Sequence, residues 1–592
     1  MQLKRFYRDE LSFLRLQGRE FAEAHPQLSR FLSEPSTDPD VERLLEGFAF
    51  LTGRLREKVE DQLPELTHSL LNILWPNYLR PVPSCTIMRF DPQLHVVSKR
   101  QRVARHTEIR SRPVGAPDHQ TQCRFRTCRD VDVFPLSVAQ AGAEHSRDTS
   151  TVTVDLAVHS DQPVSTLELE RLRFYLGGDE HTSQTLYLWL DHHLEGIEVM
   201  VAGQNFTLAP EQLQPVGFGT DEALLPYPEN AYSGYRILQE YLSFPEAFCF
   251  VDVAGLEGVL PVVQADEFSL RFRFNRILPP DIRVHADSFQ LYCTPAINLF
   301  SHAAEPVDLN GHETEYRVVP SHRAPDHFEV FSVDRVEGWL EGDPERGSGE
   351  PRVYSAFERF QHESDRTSGR AALFYRLRAR ERMRGNGFDH YLALVRDDES
   401  DCLNRHEAVS LTLTCTNRQL PQQLAIGDLC VATESTPAFA SFRNITRPTQ
   451  TLRPRLDDGL LWKLISNLSL NYLSLLDAEA LRTVLGFYDF RALADRQAKR
   501  VSQNRLAGIQ SIATEPVDRM IQGLPVRGIR SVLTLDQQAF ATEGDLYLFG
   551  AVLSRFFSLY SSINAFHLLE VVNMDNKERY TWTLQQGQQP LM

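Results

Sequence analysis

Few of the residues able to do chemistry lie close together in this chain. Adjacent His192 and His193 follow the apolar segment LYLWL (186–190), and Cys123 and Cys128 are separated by four residues. Imidazole and thiolate are among the side-chain groups that bind zinc. If LYLWL is a strand that continues, the two histidines point to opposite faces, so we expect turn or surface histidines rather than a shared metal site. The cysteine pair could hold a metal only with two further ligands from elsewhere.

Sequence motifs of known catalytic sites are absent. No HExxH helix, Walker phosphate loop, GxSxG elbow or dinucleotide fingerprint occurs in the sequence. GLPVRG (523–528) lacks the lysine and capped helix of a phosphate loop, which favours a turn. The eight cysteines include no CxxC pair, so we expect reduced and mostly buried thiols. The sequence therefore predicts no catalytic residue, no cofactor or cofactor-binding residue, and no metal ligand.

Composition excludes several classes of protein. Of the 592 residues, 42% are hydrophobic and 24% charged, which is ordinary for a globular chain. The net charge of −17 argues against general attraction to nucleic acid or to anionic lipid. The apolar runs are far shorter than the roughly 20 residues that cross a bilayer, and the start MQLKRFYRDE lacks the apolar centre of a signal peptide. We expect a soluble cytoplasmic protein without direct membrane insertion.

The stretch from 38 to 81 predicts two helices joined at a hinge. Asp38 and Pro39 suit the start of the first helix, and the second is expected to run to Trp75 before Pro76 ends it. The first helix has one apolar stripe that includes Leu44, Phe48, Leu51 and Leu55. Such a stripe packs either on the protein's own core or against a partner, and both interpretations remain open.

The chain is too long for one ordinary core, and its periodicity changes along its length. Helical spacing dominates residues 1–82, whereas segments such as TVTVDLAVHS and FSLRFRF alternate as half-buried strands do. We predict an α+β multidomain protein with an N-terminal helical region, β-rich middle domains and a C-terminal α/β domain. The predicted boundaries are 1–82 (helical), 83–305 (β-rich with an inserted helix), 306–440 (second β-rich) and 441–592 (α/β).

The segment GDLYLFGAVLSRFFSLYSSINAF near the C-terminus predicts a deeply packed helix followed by a strand hairpin, FHLLEVV and YTWTL. Arg555 is the one charged residue beyond its first turn, and we expect it to be an exposed candidate contact for a partner. The alternative is a helix buried wholly in its own domain.

Several segments together resemble the TssF family of type VI secretion baseplate proteins, also called ImpG or VasA. They occur in family order across nearly the full chain. They are FYRDELSFLR, DPDVERLLEGFAFLTGRLREKVEDQLPELTHSLLNILWPNYLRPVPS, GYRILQEYLSFPEAFCF, LYCTPAINLF, TCTNRQLP, LISNLSLNYLSLL and LFGAVLSRFFSLYSSINAF.

The resemblance implies a non-enzymatic structural subunit of the baseplate wedge, located in the cytoplasm at the baseplate beneath the inner membrane. Its implied partners are TssG, bound by two TssF copies, together with TssK, TssE and the VgrG hub, and it would seed the contractile tail. The helices of 38–81 could then join a bundle between TssF copies and TssG. The alternative from another class is a β-rich enzyme whose catalytic carboxylates no sequence motif reveals.

Overall fold

The chain has the predicted α+β multidomain architecture in this computed structural model. The residues it describes are 7–8, 10–15, 17, 39–60, 71–72, 75–93, 96–160, 163–227, 234–260, 265–309, 313–340, 350–357, 373–382, 387–396, 407–454, 477–521, 523–561 and 565–587. The family-like segment LISNLSLNYLSLL (464–476) lies outside these ranges.

The helices include several that begin at a side-chain cap supplied by the sequence. In chain order they are α1 (Pro39–Glu60), α2 (Pro76–Leu79), α3 (Glu180–His192), α4 (Gly234–Ser243), α5 (Ala478–Tyr488), α6 (Arg491–Ala494), α7 (Arg496–Ala507) and α8 (Glu543–Tyr560). Asp179 accepts the Thr182 amide hydrogen bond at the start of α3, and Thr542 accepts that of Asp545 at the start of α8. These oxygens satisfy backbone donors that have no partner inside the helix.

The strands up to residue 300 are β1 (Cys85–Pro92), β2 (Gln101–Val103), β3 (Glu108–Val114), β4 (Thr121–Thr127), β5 (Val131–Val133), β6 (Leu136–His145), β7 (Ser150–Val158), β8 (Arg171–Leu176), β9 (Leu194–Val201), β10 (Gln204–Leu208), β11 (Leu213–Val216), β12 (Phe250–Ala254), β13 (Glu267–Phe274), β14 (Phe289–Leu291) and β15 (Cys293–Ile297). The later strands are β16 (Phe300–Ala303), β17 (Val307–Leu309), β18 (Tyr316–Val318), β19 (Glu329–Leu340), β20 (Glu350–Ala356), β21 (Leu373–Glu381), β22 (Phe388–Arg396), β23 (Glu407–Thr416), β24 (Ala440–Asn444), β25 (Ile509–Ile521), β26 (Leu524–Leu535), β27 (Phe566–Asn573), β28 (Arg579–Thr581) and β29 (Gln585–Gln586).

Three sheets form most of the middle of the chain, in the orders β24-β1-β15-β4-β3, β10-β9-β13-β7-β6 and β11-β12-β8-β14. Their pairings are antiparallel. Along β7 every second residue is buried, which is the pattern expected of a strand with one face on the core.

The other large sheets are formed by later parts of the chain. One has the order β16-β23-β19-β20-β21-β22-β18, with β17 also paired to β23. The C-terminal sheet pairs the hairpin β25–β26 with β27, β28 and β29. Its strands β26 and β27 run parallel, so the chain must cross over between them, and α8 makes that crossover.

Two apolar cores hold these elements. The first runs from Leu71 to Tyr580 and joins the middle sheets to the C-terminal elements, whereas the second lies between Phe300 and Cys415. An ion pair bridges them, because Arg453 binds the buried carboxylate of Glu329 through Nε at 2.9 Å and Nη2 at 2.7 Å. The four domain boundaries drawn from the sequence stay a prediction.

Helix α8 packs against α3, α4 and β27, which fixes the C-terminal elements to the middle of the chain. A Cβ at Gly544 would overlap the Gln184 carbonyl of α3, so glycine permits this close approach. Asp545 accepts hydrogen bonds from Tyr241 Oη at 3.2 Å and from Arg505 Nη2 at 2.9 Å. One buried carboxylate thus connects α8 with α4 and α7.

The side chains that connect α4 to the segment before it are polar and buried. Glu240 accepts the Leu224 and Leu225 amides at 2.9 and 3.1 Å, while Arg236 donates to the Phe218 carbonyl at 3.1 Å. Burial raises the pKa of Glu240 although Arg236 and the amides oppose the shift. These contacts fold the connection before α4 onto the helix.

The structure corrects one local prediction and adds to another. LYLWL (186–190) is not a strand, because it forms the buried second half of α3. Residues 71 and 72 are helical and Trp75 is not, while residues 61–70 and 73–74 of the second predicted helix lie outside the described ranges. Pro76, expected to close that helix, begins α2, where its fixed φ suits a first turn. In the first case, burial on every side of α3 removed the polar positions that would have revealed a 3.6-residue period.

Candidate functional site

The first helix, α1, turns its large apolar residues outward. Leu44, Phe48 and Leu51 have exposed fractions of 73%, 58% and 59%. Steps of four and three residues place them on one side of the helix. Leu55 continues the series within α1, but its side chain lies outside the described residues. We call Leu44, Phe48 and Leu51 the α1 patch.

The opposite side of α1 carries small residues. Ala49 and Gly53 are buried, and Leu45 and Thr52 are half-buried. Thr52 Oγ1 donates to the Phe48 carbonyl at 2.8 Å, so its hydroxyl is satisfied within the helix. The helix therefore presents small residues to the protein and large ones to solvent, which reverses the usual arrangement of an amphipathic surface helix.

Exposed apolar patches with a polar rim are a common feature of protein-binding surfaces. Fully burying a leucine or phenylalanine side chain contributes about 1.5–3 kcal/mol each. Exposed Arg43 and Asp40 lie one turn N-terminal to the patch, 3.8 Å apart, and supply a charged rim. The arrangement suits an apolar partner surface and offers no group for covalent or acid–base chemistry.

Arg555 differs from the expected exposed contact, since its side chain is half-buried on α8. Its Nη1 donates to Gln585 Oε1 at 2.6 Å, and its guanidinium lies 5.4 Å from the centre of the Phe218 ring. These contacts hold β29 and the loop before α4 against the helix. Arg555 is distant in sequence from the α1 patch.

The adjacent histidines do not point apart as the sequence suggested. His192 ends α3 and His193 caps it, so successive side chains are rotated as in a helix rather than alternating as in a strand. Their ring centres are 4.8 Å apart. Glu578, in the turn between β27 and β28, places Oε1 3.8 Å from His192 Nε2 and 3.7 Å from His193 Nε2.

Burial determines the charge state of these two rings. Burial lowers the pKa of His192. The pKa of His193 falls to about 4, because burial is the largest cause and the neighbouring His192 and Arg276 act in the same direction. Both rings are therefore neutral near pH 7. No local sequence pattern pointed to Glu578 as their neighbour, because it lies 385 positions after His193 (578 − 193).

A small pocket with carboxylates lies between β5 and β8, and it does not resemble a hydrolase cleft. Its lining includes Asp130, Asp132 and Arg173, and its volume of about 20 Å³ holds little more than one water molecule. Asp132 is bound by Arg100 Nε at 3.0 Å, and Asp130 by Arg102. Both carboxylates therefore already have an arginine partner in this small pocket.

The cysteine pair considered as metal ligands is buried, and burial raises the pKa of both Cys123 and Cys128 to about 12. Neither belongs to a cluster of metal-ligating side chains within the described part of the chain. A bilayer-spanning helix is likewise missing from that part, since none combines the length and apolar character required.

Comparison with known proteins agrees with this picture of an assembling protein. The family model described as "Type VI secretion system, TssF" matches residues 1–589. A type VI secretion system component of Pseudomonas aeruginosa, TssF1, is 31% identical over 639 aligned positions, which cover 100% of this chain and 99% of the relative.

Two solved structures are similar over nearly the whole fold. A chain of a TssK-TssF-TssG baseplate subcomplex superposes with a TM-score of 0.76 at 33% identity, covering 92% of this chain and 98% of that one. A chain of a type VI secretion baseplate complex superposes with a TM-score of 0.64 at 30% identity, covering 100% of each.

Proposed function

This chain belongs to the TssF family of type VI secretion baseplate components, and from that premise we propose that it is a non-enzymatic subunit of the baseplate wedge that assembles with TssG and TssK. The similar chain in the TssK-TssF-TssG subcomplex supports the choice of partners. The observation that carries the site assignment is the α1 patch, in which Leu44, Phe48 and Leu51 are exposed together.

The α1 patch is proposed as a surface that packs against TssG or against a second copy of this chain. Leu55 extends the patch in our proposal because it follows Leu51 at a four-residue step. On the family resemblance, we also propose two copies for each TssG, contacts with TssE and the VgrG hub, and a cytoplasmic location beneath the inner membrane.

Arg555 is retained as a second proposed contact. Gln585 and Phe218 hold its guanidinium in a fixed orientation while part of the side chain reaches solvent. A preorganised guanidinium loses little conformational entropy when it binds a partner carboxylate. Arg555→Lys is expected to weaken assembly less than Arg555→Glu. If both variants assemble as well as the wild type, Arg555 is not a partner contact.

The α1 patch is tested by co-expressing the chain with TssG and TssK and measuring the purified complex by native mass spectrometry. Phe48→Asp is expected to weaken the complex by at least about 100-fold in Kd, because burying an unpaired carboxylate costs several kcal/mol. Circular dichroism of the isolated variant should match that of the wild type, since Phe48 is exposed in the free chain.

Val501→Asp is the matched control, because Val501 is an apolar residue of α7 that is 51% exposed. It introduces the same charge on a different surface and should leave the complex intact. A folded Phe48→Asp variant that binds TssG and TssK as tightly as Val501→Asp would contradict the proposed role of the α1 patch.

A further inference from the structure

Three side chains from distant parts of the chain converge at the C-terminal end of α3. One ligand atom from each of His192, His193 and Glu578 lies within 4.8 Å of the others. The two histidines belong to the middle of the chain and Glu578 to the C-terminal hairpin. Their convergence is therefore a product of the tertiary fold and not of local sequence.

The spacing is close to that of ligands around a bound ion. Two ligands of a tetrahedral zinc ion, at about 2.0–2.1 Å from the metal, lie roughly 3.3–3.4 Å from each other. Glu578 Oε1 is 3.8 Å from His192 Nε2 and 3.7 Å from His193 Nε2. All three ligand atoms lie within 4.8 Å of one another, so side-chain rotation must shorten the longest of these separations before one ion can contact all three.

His193 has an unused polar atom that points into this cluster. The residue is 4% exposed, and its Nε2 has no hydrogen-bond partner among the described residues. A buried polar atom without a partner is costly, so such an atom requires an explanation. A metal bound to Nε2 supplies the missing interaction.

The surrounding charges favour a cation. Glu578 and Glu543 face the cluster, and Arg276 is the positive group beside them, with Nη1 bonded to Glu578 Oε2 and 4.0 Å from Glu543 Oε1. Tyr547 and Tyr580, which also pack against His192, are uncharged near neutral pH. The C-terminal end of α3 adds the negative end of a helix dipole.

We propose that His192, His193 and Glu578 bind one divalent transition-metal ion of the zinc type, with a fourth position open to water. Two imidazoles and one carboxylate form a ligand set that zinc accepts. His192 and Glu578 are only partly buried, so an ion can enter from solvent. The metal ties the end of α3 to the turn between β27 and β28, and it requires no catalytic role.

The full-length chain is stripped with a chelator, and Zn²⁺ alone is then added at neutral pH. Calorimetric titration and elemental analysis after gel filtration are expected to find one bound equivalent, and the Tm to rise by about 2–4 °C. His192→Gln and Glu578→Gln should each weaken binding at least about 100-fold, which exceeds the usual loss for an outer-shell partner. Retention of the same equivalent by both variants, or none by the wild type, overturns the proposal.

His181→Gln is the matched control, because His181 is an exposed histidine of the same helix whose Nε2 lies 2.8 Å from Asp281 Oδ2. It should bind Zn²⁺ as the wild type does. Arg276→Gln removes the positive charge at Glu578 and should tighten binding severalfold, a gain that misfolding cannot produce. Weaker binding by a folded Arg276→Gln variant overturns the assignment of Glu578 as a ligand.

Discussion

His567 and His390 are buried in two different sheets, and burial sets their charge. The pKa of His567 on β27 falls to about 3, and that of His390 on β22 to about 4. Ser531 Oγ lies 2.9 Å from His567 Nε2, a neutral neighbour that does not offset the burial. Both rings stay neutral in the folded chain under conditions that protonate exposed histidines.

Acid is therefore expected to destabilise the fold through these histidines. Their folded pKa values lie below the ordinary value near 6.5, so the unfolded chain takes up protons first as the pH falls. Stability is full above about pH 6.5 and decreases toward pH 4, by up to about 1.4 kcal/mol per pH unit for each histidine. His567→Gln should reduce this slope, measured as thermal midpoints between pH 7 and pH 5.

Exposed His119 provides the comparison, because its side chain is not buried in the folded chain. His119→Gln should leave the pH dependence unchanged. If His567→Gln has the same pH slope as the wild type, the ring of His567 is not the source of the acid sensitivity.

At the scale of elements, the contact between α8 and α3 depends on a glycine. Gly544→Ala would place a Cβ against the Gln184 carbonyl and the Thr185 amide, which are backbone atoms that cannot rotate away. We expect a loss of about 1–3 kcal/mol, typical of overpacking, measured by chemical denaturation.

Gly47→Ala should have the opposite effect. Gly47 lies in α1 with no atom within 4 Å of an added Cβ, so alanine brings its higher helix propensity without a clash. A gain of up to about 1 kcal/mol in the stability of α1 is expected. Equal effects of the two substitutions would show that the crossing of α8 and α3 tolerates a side chain at 544.

Element types were predictable from the sequence where one face is buried and the other is not. β7 and β13 alternate along their length, and the predicted C-terminal helix and hairpin occur as α8, β27 and β28. LYLWL was misassigned because α3 is buried all round, which hides the helical period. The α1 stripe was visible, but whether Phe48 faces its own core or solvent depends on tertiary packing that no local pattern contains.

At the scale of the whole molecule, Asp545 joins three helices in one buried contact. Asp545→Asn removes the charge that balances Arg505, and breaking a buried ion pair costs about 3–5 kcal/mol. We expect α7 and α8 to become accessible to limited proteolysis at temperatures where the wild type resists. Glu195→Gln is the control, since its pairing with Arg273 is exposed and contributes about 0–1 kcal/mol. Identical cleavage of the two variants would contradict this role for Asp545.

The first core has a consequence for the order in which the protein forms during translation. Its apolar residues extend from Leu71 to Tyr580, and α8 covers surfaces of α3 and α4 that leave the ribosome long before it. Those surfaces stay uncovered until the last segment of the chain is made, and exposed apolar surface of this kind is what chaperones bind. A nascent chain stalled before α8 therefore remains a chaperone client, and release from the ribosome is the step that completes the fold.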